Sequence, residues 1–210
     1  MFKDREEAGR KLALALYQYK DKKDTVIFAI PRGGIAVAAP VSQVLHLPLE
    51  VLIVRKLSLP DNPEAGIGAL SETGEVVWQP FKEIYPSAVR ERIKKEQEEE
   101  IKKRIDILRG GKNLPSCRGK IVILIDDGLA MGSTMAAAVK TVQSLKAKKV
   151  IVAVPVGSRE AKMALEKMGA EVICLEMPTP FYAVAQGYES FPQINIEKAK
   201  TILKNFKRKV

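Results

Sequence analysis

Reactive side chains are scarce in this chain. Its 210 residues hold one histidine, His46, and two cysteines, Cys117 and Cys174. His46 falls at the end of a predicted helix, away from any strand edge of interest, so Ser-His-Asp and Cys-His chemistry are excluded. The cysteines have no CxxC spacing, which excludes a Cys/His zinc cluster and leaves unpaired, inert thiols. Long hydrophobic runs are missing as well. The longest are strand-sized, far short of the roughly 20 residues a bilayer span needs. The first seven residues are charged and lack the apolar stretch of a signal peptide, so a cytoplasmic protein is expected. No glycine loop ends in the Gly-Lys-Ser/Thr of a P-loop, since Gly132-Ser133-Thr134 has no lysine, and the Rossmann glycine pattern is absent. Nucleotide hydrolysis and hydride transfer are therefore weak readings.

What the chain has in excess is positive charge, formally +10. Much of that excess lies in one charged helix and at the C-terminus, including Lys204, Lys207, Arg208 and Lys209. A polyanionic small substrate explains a basic cleft, because such a cleft raises encounter rates with phosphates. A nucleic-acid partner is not expected. The length fits one domain over residues 1–210.

The chain is organised around residues 121–134. Five aliphatic residues, 121–125, read as a strand buried on both faces, as in a parallel sheet. Asp126 and Asp127 stand where it ends, followed by a loop with Gly128 and Gly132, then Ser133 and Thr134, then a helical pattern. Strand, loop and helix in that order put backbone N–H groups and a positive helix end at the sheet edge, which suits a phosphate. The two hydroxyls can cap the helix or donate to a phosphate oxygen. Two carboxylates beside an anion site call for sugar hydroxyls, a divalent cation or both.

This stretch resembles the phosphoribosyl-pyrophosphate (PRPP) motif of type I phosphoribosyltransferases. The resemblance implies an α/β, Rossmann-like fold, with a central, mostly parallel sheet flanked by helices. It also implies that Asp126 and Asp127 face the ribose hydroxyls. Gly128, Leu129, Ala130, Met131, Gly132, Ser133 and Thr134 would wrap the 5′-phosphate. Met131 departs from the family, which often has threonine there, and this removes one side-chain donor. The bland alternative is a plain strand–turn–helix with solvated acids.

Taken in order, residues 4–19 predict an amphipathic helix with Asp4 as cap and Glu7 completing a capping box. A strand over 26–30 runs through Pro31-Arg32-Gly33-Gly34 into a helix over 35–45, making a second anion-binding edge. Arg32 adds a guanidinium whose fork fits phosphate. In the resembling family this loop binds pyrophosphate, and Arg32, Gly33 and Gly34 match it. A strand over 49–54 ends in Arg55 and Lys56, which face the same ligand crevice or form a surface pair.

Residues 57–118 form an insertion where the family carries a flap. Its parts are a turn-rich 59–64, a β-hairpin from 66–70 and 75–78, and a charged helix over 90–104. Four i,i+4 pairs there, among them Glu100 with Arg104, read as structural, and Gly110-Gly111 ends the helix. Glu64 in this insertion is a candidate contact to acceptor or metal. Strands over 150–156 and 171–176 flank a helix capped by Ser158 and complete the sheet. Residues 176–210 then form an irregular hood and a closing helix over 196–206. Phe181, Tyr182 and Tyr188 in the hood can stack on a flat acceptor ring or anchor the segment to the core.

The resemblance implies Mg²⁺-dependent transfer of the phosphoribosyl group from PRPP to a nitrogenous acceptor, with pyrophosphate released. Arg32, Asp126 and Asp127 carry the catalytic role, and the two acids are also the metal candidates, with Mg²⁺ held mainly through PRPP. A second copy of the chain, as a homodimer, is a candidate partner. Two alternatives come from other classes: a PRPP-sensing nucleic-acid-binding regulator without turnover, and a binding scaffold whose Met131 marks a decayed site.

Overall fold

The computed structural model describes residues 1–59 and 62–207, without the side chains of 62–65 and 207. The Glu64 side chain, residues 208–210 and part of the expected 59–64 turn lie outside the described residues. Five parallel strands form the central sheet: β1 (Thr25–Ala29), β2 (Leu49–Val51), β6 (Ile121–Ile125), β7 (Lys149–Val156) and β8 (Glu171–Glu176). Their spatial order is β2-β1-β6-β7-β8. Chain order thus runs one way from β1 to β2 and the other way from β6 to β8. The reversal falls between β1 and β6, where open α/β sheets form their ligand crevice.

Each buried strand serves two cores, because successive side chains point to opposite faces. Ile27, Ala29, Ile123 and Ile125 face one core with Leu12 of helix α1 (Arg5–Ala15) and Ile35 of helix α2 (Gly33–Leu45). Phe28, Val122, Leu124 and Val152 face the other, with Val139 of helix α4 (Ser133–Ser144) and Leu165 of helix α5 (Arg159–Lys167). The near-continuous aliphatic runs of β1 and β6 follow from this double burial. Helix α6 (Ile196–Lys207) closes the first core through Leu203 and Phe206.

The strand expected over 49–54 is in fact two. β2 stops at Val51, and β3 (Val54–Leu59) begins a separate antiparallel sheet with β4 (Asn62–Ser71) and β5 (Val76–Trp78). The switch is one of backbone partners. The Leu52 N–H still donates to Ala29 on β1 at 3.1 Å, whereas the Ile53 N–H donates to the Glu72 carboxylate at 2.8 Å. The expected hairpin is therefore the outer half of a three-stranded sheet. That sheet packs on α4 and on the charged helix α3 (Ser87–Arg109).

Glu72, in the hairpin turn, forms a bidentate ion pair with Arg109 near the end of α3, and both side chains are buried. Gly110 ends α3 in the left-handed conformation at φ 63°, the role predicted for it. Asp4 caps α1 through the Glu6 and Glu7 N–H groups. Glu7 does not close the box on Asp4; its carboxylate accepts from the Lys3 N–H. The helix is also shorter than predicted, giving way to a 3₁₀ turn at Tyr17–Tyr19. His46 is exposed and sits 2.9 Å from Asp21, far from the sheet's ligand edge.

Candidate active site

In the sheet register Ala29 lies beside Ile125, so the two chains leave their strands at the same level. The Ile30 N–H donates to the Ile125 carbonyl at 2.8 Å, carrying the pairing one step beyond the strands. The turns that follow then touch. A Cβ on Gly33 would stand 1.8 Å from Asp127 Oδ2, and one on Gly34 would stand 2.6 Å from the Ile125 carbonyl oxygen. Only glycine permits this approach. Arg32 and Asp127 consequently line one crevice of about 440 Å³, together with Arg55, Lys56, Asp126 and Thr134.

The two acids are not equivalent. Asp126 is held well above the usual carboxylate range, first by burial and then by the neighbouring Asp127 charge. Its Oδ1 accepts from the Asp127 N–H at 2.8 Å. Asp127 is ion-paired: Arg5 Nε donates to its Oδ2 at 2.7 Å, with the two side chains 8% and 18% exposed. Arg5 also lies 3.7 Å above the Phe191 ring and donates to the Pro192 carbonyl at 2.8 Å. Among the described residues no group of three or more His, Cys, Asp or Glu stands ready for a metal ion.

Cations form the opposite wall. Arg55 and Lys56 do not sit at the end of a parallel strand, as predicted, but within β3 of the small sheet. That sheet still delivers them to the crevice, where Arg104 of α3 joins them. Burial, and next the Arg104 charge, lower the Arg55 pKa, with Arg32 adding to the effect.

Helices α2 and α4 both begin at this crevice, and neither has a side-chain cap, whereas Asp4 caps α1 and Ser158 caps α5. Ser133 and Thr134 therefore leave the α4 start open, with its first N–H groups available to an anion. The left-handed Gly132, φ 79°, makes that turn. Not all of the 128–134 loop is available. The Leu129 N–H donates to Val156, its carbonyl accepts from the Ser158 N–H, and its side chain is buried. The Ala130 carbonyl accepts from the Ser158 hydroxyl. Leu129 and Ala130 thus tie the loop to β7 and α5, while Met131 is 61% exposed.

The aromatic hood residues are placed differently from the stacking role considered for them. Tyr188 is buried against Phe2 and Phe191, and its hydroxyl donates to the Asp127 carbonyl at 2.6 Å. Phe181 packs on the same cluster, and Tyr182 is 81% exposed. None of the three lines the crevice; Phe191, Gln193 and Ile194 do. The sequence does not single out Arg5, and it gives Arg104 only as the structural partner of Glu100, a pair that forms at 3.0 Å. Arg5 lies 122 positions from its partner and Arg104 sits within a run of charges, so neither left a local signal of its place in the crevice.

The model of the phosphoribosyl transferase domain matches residues 2–190. The chain belongs to the phosphoribosyl transferase family. Family members include a Mycobacterium tuberculosis (strain H37Rv) protein named "Putative phosphoribosyl transferase", 35% identical over 209 residues. That alignment takes in 97% of this chain and 46% of the relative, so the chain spans about half the length of the curated relatives it matches. The crystal structure of TT1426 from Thermus thermophilus superposes with a TM-score of 0.79 at 37% identity, covering 98% of each chain. The AQ2163 protein of Aquifex aeolicus shares the fold at a TM-score of 0.52 and 18% identity, over 81% of this chain and 72% of that one. The parallel five-stranded sheet flanked by helices is the architecture that the family resemblance implied. Among the described residues no helix is long and apolar enough to cross a membrane.

Proposed function

We propose that the protein transfers the 5-phosphoribosyl group of PRPP to a nitrogenous acceptor, releasing pyrophosphate in a Mg²⁺-dependent reaction. One observation carries this reading: an acid pair and a wall of guanidinium groups meet in a single crevice at the sheet's switch point. A doubly phosphorylated sugar has the matching chemistry, anionic at both ends and hydroxylated between them.

The 5′-phosphate belongs at the uncapped start of α4, where backbone N–H groups and the Ser133 and Thr134 hydroxyls donate. Pyrophosphate belongs against Arg32, Arg55 and Lys56, near the open start of α2. Asp126 and Asp127 then face the ribose hydroxyls. In the reaction the bond from C1 to the pyrophosphate oxygen breaks, its electrons leave with pyrophosphate, and a nitrogen lone pair forms the new bond to C1. Positive charge builds on the ribose ring, as in glycoside chemistry. The protein's part is to hold the sugar at both ends and to place fixed charges where the transition state needs them.

Two carboxylates are too few for an all-protein cation cage. They fit Mg²⁺ as part of a shared set, because this ion usually takes one or two carboxylates plus substrate phosphates. Asp126 and Asp127 would hold it, and when bound it would spread the charge of the departing pyrophosphate. The acceptor would enter on the tail side, where Gln193 and Ile194 line the crevice.

The test is a screen for pyrophosphate release from PRPP across purines, pyrimidines and non-nucleobase amines. Release that depends on one acceptor class supports the reading and names the acceptor. No release with any of them, with PRPP and Mg²⁺ saturating, would overturn it.

A further inference from the structure

The buried stripe of α3 contains one residue that does not belong to an apolar contact. Ile93, Ile101 and Leu108 form the stripe, and Arg104 stands on it three residues after Ile101 and four before Leu108. Its side chain is 10% exposed. Its guanidinium carries five N–H donors, and among the described residues no buried side-chain nitrogen or oxygen lacks a partner, so donors without one open to the crevice it lines. Glu100 Oε1 takes one, from Nε at 3.0 Å, and among the described residues the terminal nitrogens of Arg104 make no hydrogen bond. The same helix face treats Arg55 alike: Gln97 Oε1 accepts from Arg55 Nε at 2.9 Å. Helix α3 therefore fixes two guanidiniums by their Nε atoms beside Arg32 in one crevice. Like charges gathered where water is partly excluded repel one another, and an anion bridging them relieves the cost.

We propose that Arg104 is a pyrophosphate-binding residue, positioned by Glu100, so that the charged insertion helix forms part of the substrate site. This rests on the phosphoribosyl reading above, and it extends the pyrophosphate wall to a residue outside the two strand tips. Arg104 meets the diphosphate from α3 while Arg32 meets it from the β1 turn. Glu100 keeps the guanidinium from swinging out of the crevice, which makes it a positioning residue.

Calorimetric titration with pyrophosphate, PRPP and ribose 5-phosphate, each with Mg²⁺, tests this on the wild type, Arg104→Met, Arg104→Lys and Glu100→Gln. Methionine keeps an unbranched apolar stem on the stripe, and thermal unfolding checks that each variant is folded. Arg104→Met is expected to weaken pyrophosphate and PRPP roughly tenfold or more. Ribose 5-phosphate affinity should stay at the wild-type value. Arg104→Lys should recover part of the loss, and Glu100→Gln should weaken pyrophosphate less than Arg104→Met does. Unchanged pyrophosphate affinity in folded Arg104→Met would overturn the assignment, as would an equal loss for ribose 5-phosphate. A wild type that binds neither PRPP nor ribose 5-phosphate would instead overturn the reading on which it rests.

Discussion

Removing Arg5 should loosen the crevice from the side opposite the arginine wall. The Arg5 and Asp127 side chains are 8% and 18% exposed, so the figures for buried ion pairs apply rather than those for surface ones. Deleting one partner of such a pair costs about 3–5 kcal/mol, because the other charge is left without compensation. The stacking on Phe191 and the bond to the Pro192 carbonyl go with it. For a chain of this size each kcal/mol is about 2–4 °C in Tm, so Arg5→Met should melt about 6–20 °C lower. A total stability of about 5–15 kcal/mol leaves most of that range folded. The discriminating assay is a double-mutant cycle by urea unfolding with Arg5→Met, Asp127→Asn and both together. Removing both partners leaves no stranded charge, so the double variant should be more stable than the sum of the single losses by about 1–3 kcal/mol. Additivity within about 0.5 kcal/mol would refute a direct pairing.

Further expectations can be checked with the same methods. Gly34→Ala places its Cβ against the Ile125 backbone, which cannot rotate away, and should cost about 1–3 kcal/mol in urea unfolding. Gly33→Ala meets the Asp127 carboxylate instead, and should displace it and weaken PRPP more than it lowers stability, as calorimetry would read. Glu72→Ala breaks the buried pair with Arg109 and strips the Ile53 N–H of its acceptor, with an expected loss of about 3–5 kcal/mol. Burial raises the Cys174 thiol to about 11, so at pH 8 only on the order of one thiol in a thousand is ionised. Thiol-reagent labelling of the native protein at pH 8 should therefore be slow at Cys174 and should quicken as the pH rises toward 11.

Much of this site was visible in the chain because its parts are contiguous. The aliphatic run 121–125, the two acids and the glycine–hydroxyl loop occur within fourteen residues, and each follows from local rules of burial and helix starts. Arg32, Gly33 and Gly34 were found for the same reason. The division of β2 from β3 was not visible. Leu49, Val51, Leu52, Ile53 and Val54 read as one apolar run, and only the change of hydrogen-bond partner at Ile53 reveals the break. For Tyr188 the sequence leaves stacking on a ligand and anchoring to the core both open, because composition cannot say which way a ring in an irregular segment faces; its burial against Phe2 and Phe191 is the anchoring arrangement. Arg5 and Arg104 depend wholly on tertiary placement. Their neighbours are set by how α1, α3 and the tail dock, and a run of charges hides one inward-facing guanidinium among solvated ones.

The most direct test of the central proposal is calorimetric titration of PRPP with Mg²⁺ into the wild type and into the Asp126→Asn, Asp127→Asn double variant. A crevice that grips the ribose through both acids predicts saturable binding by the wild type and none measurable in the folded double variant. Equal affinity in the two proteins would contradict the account.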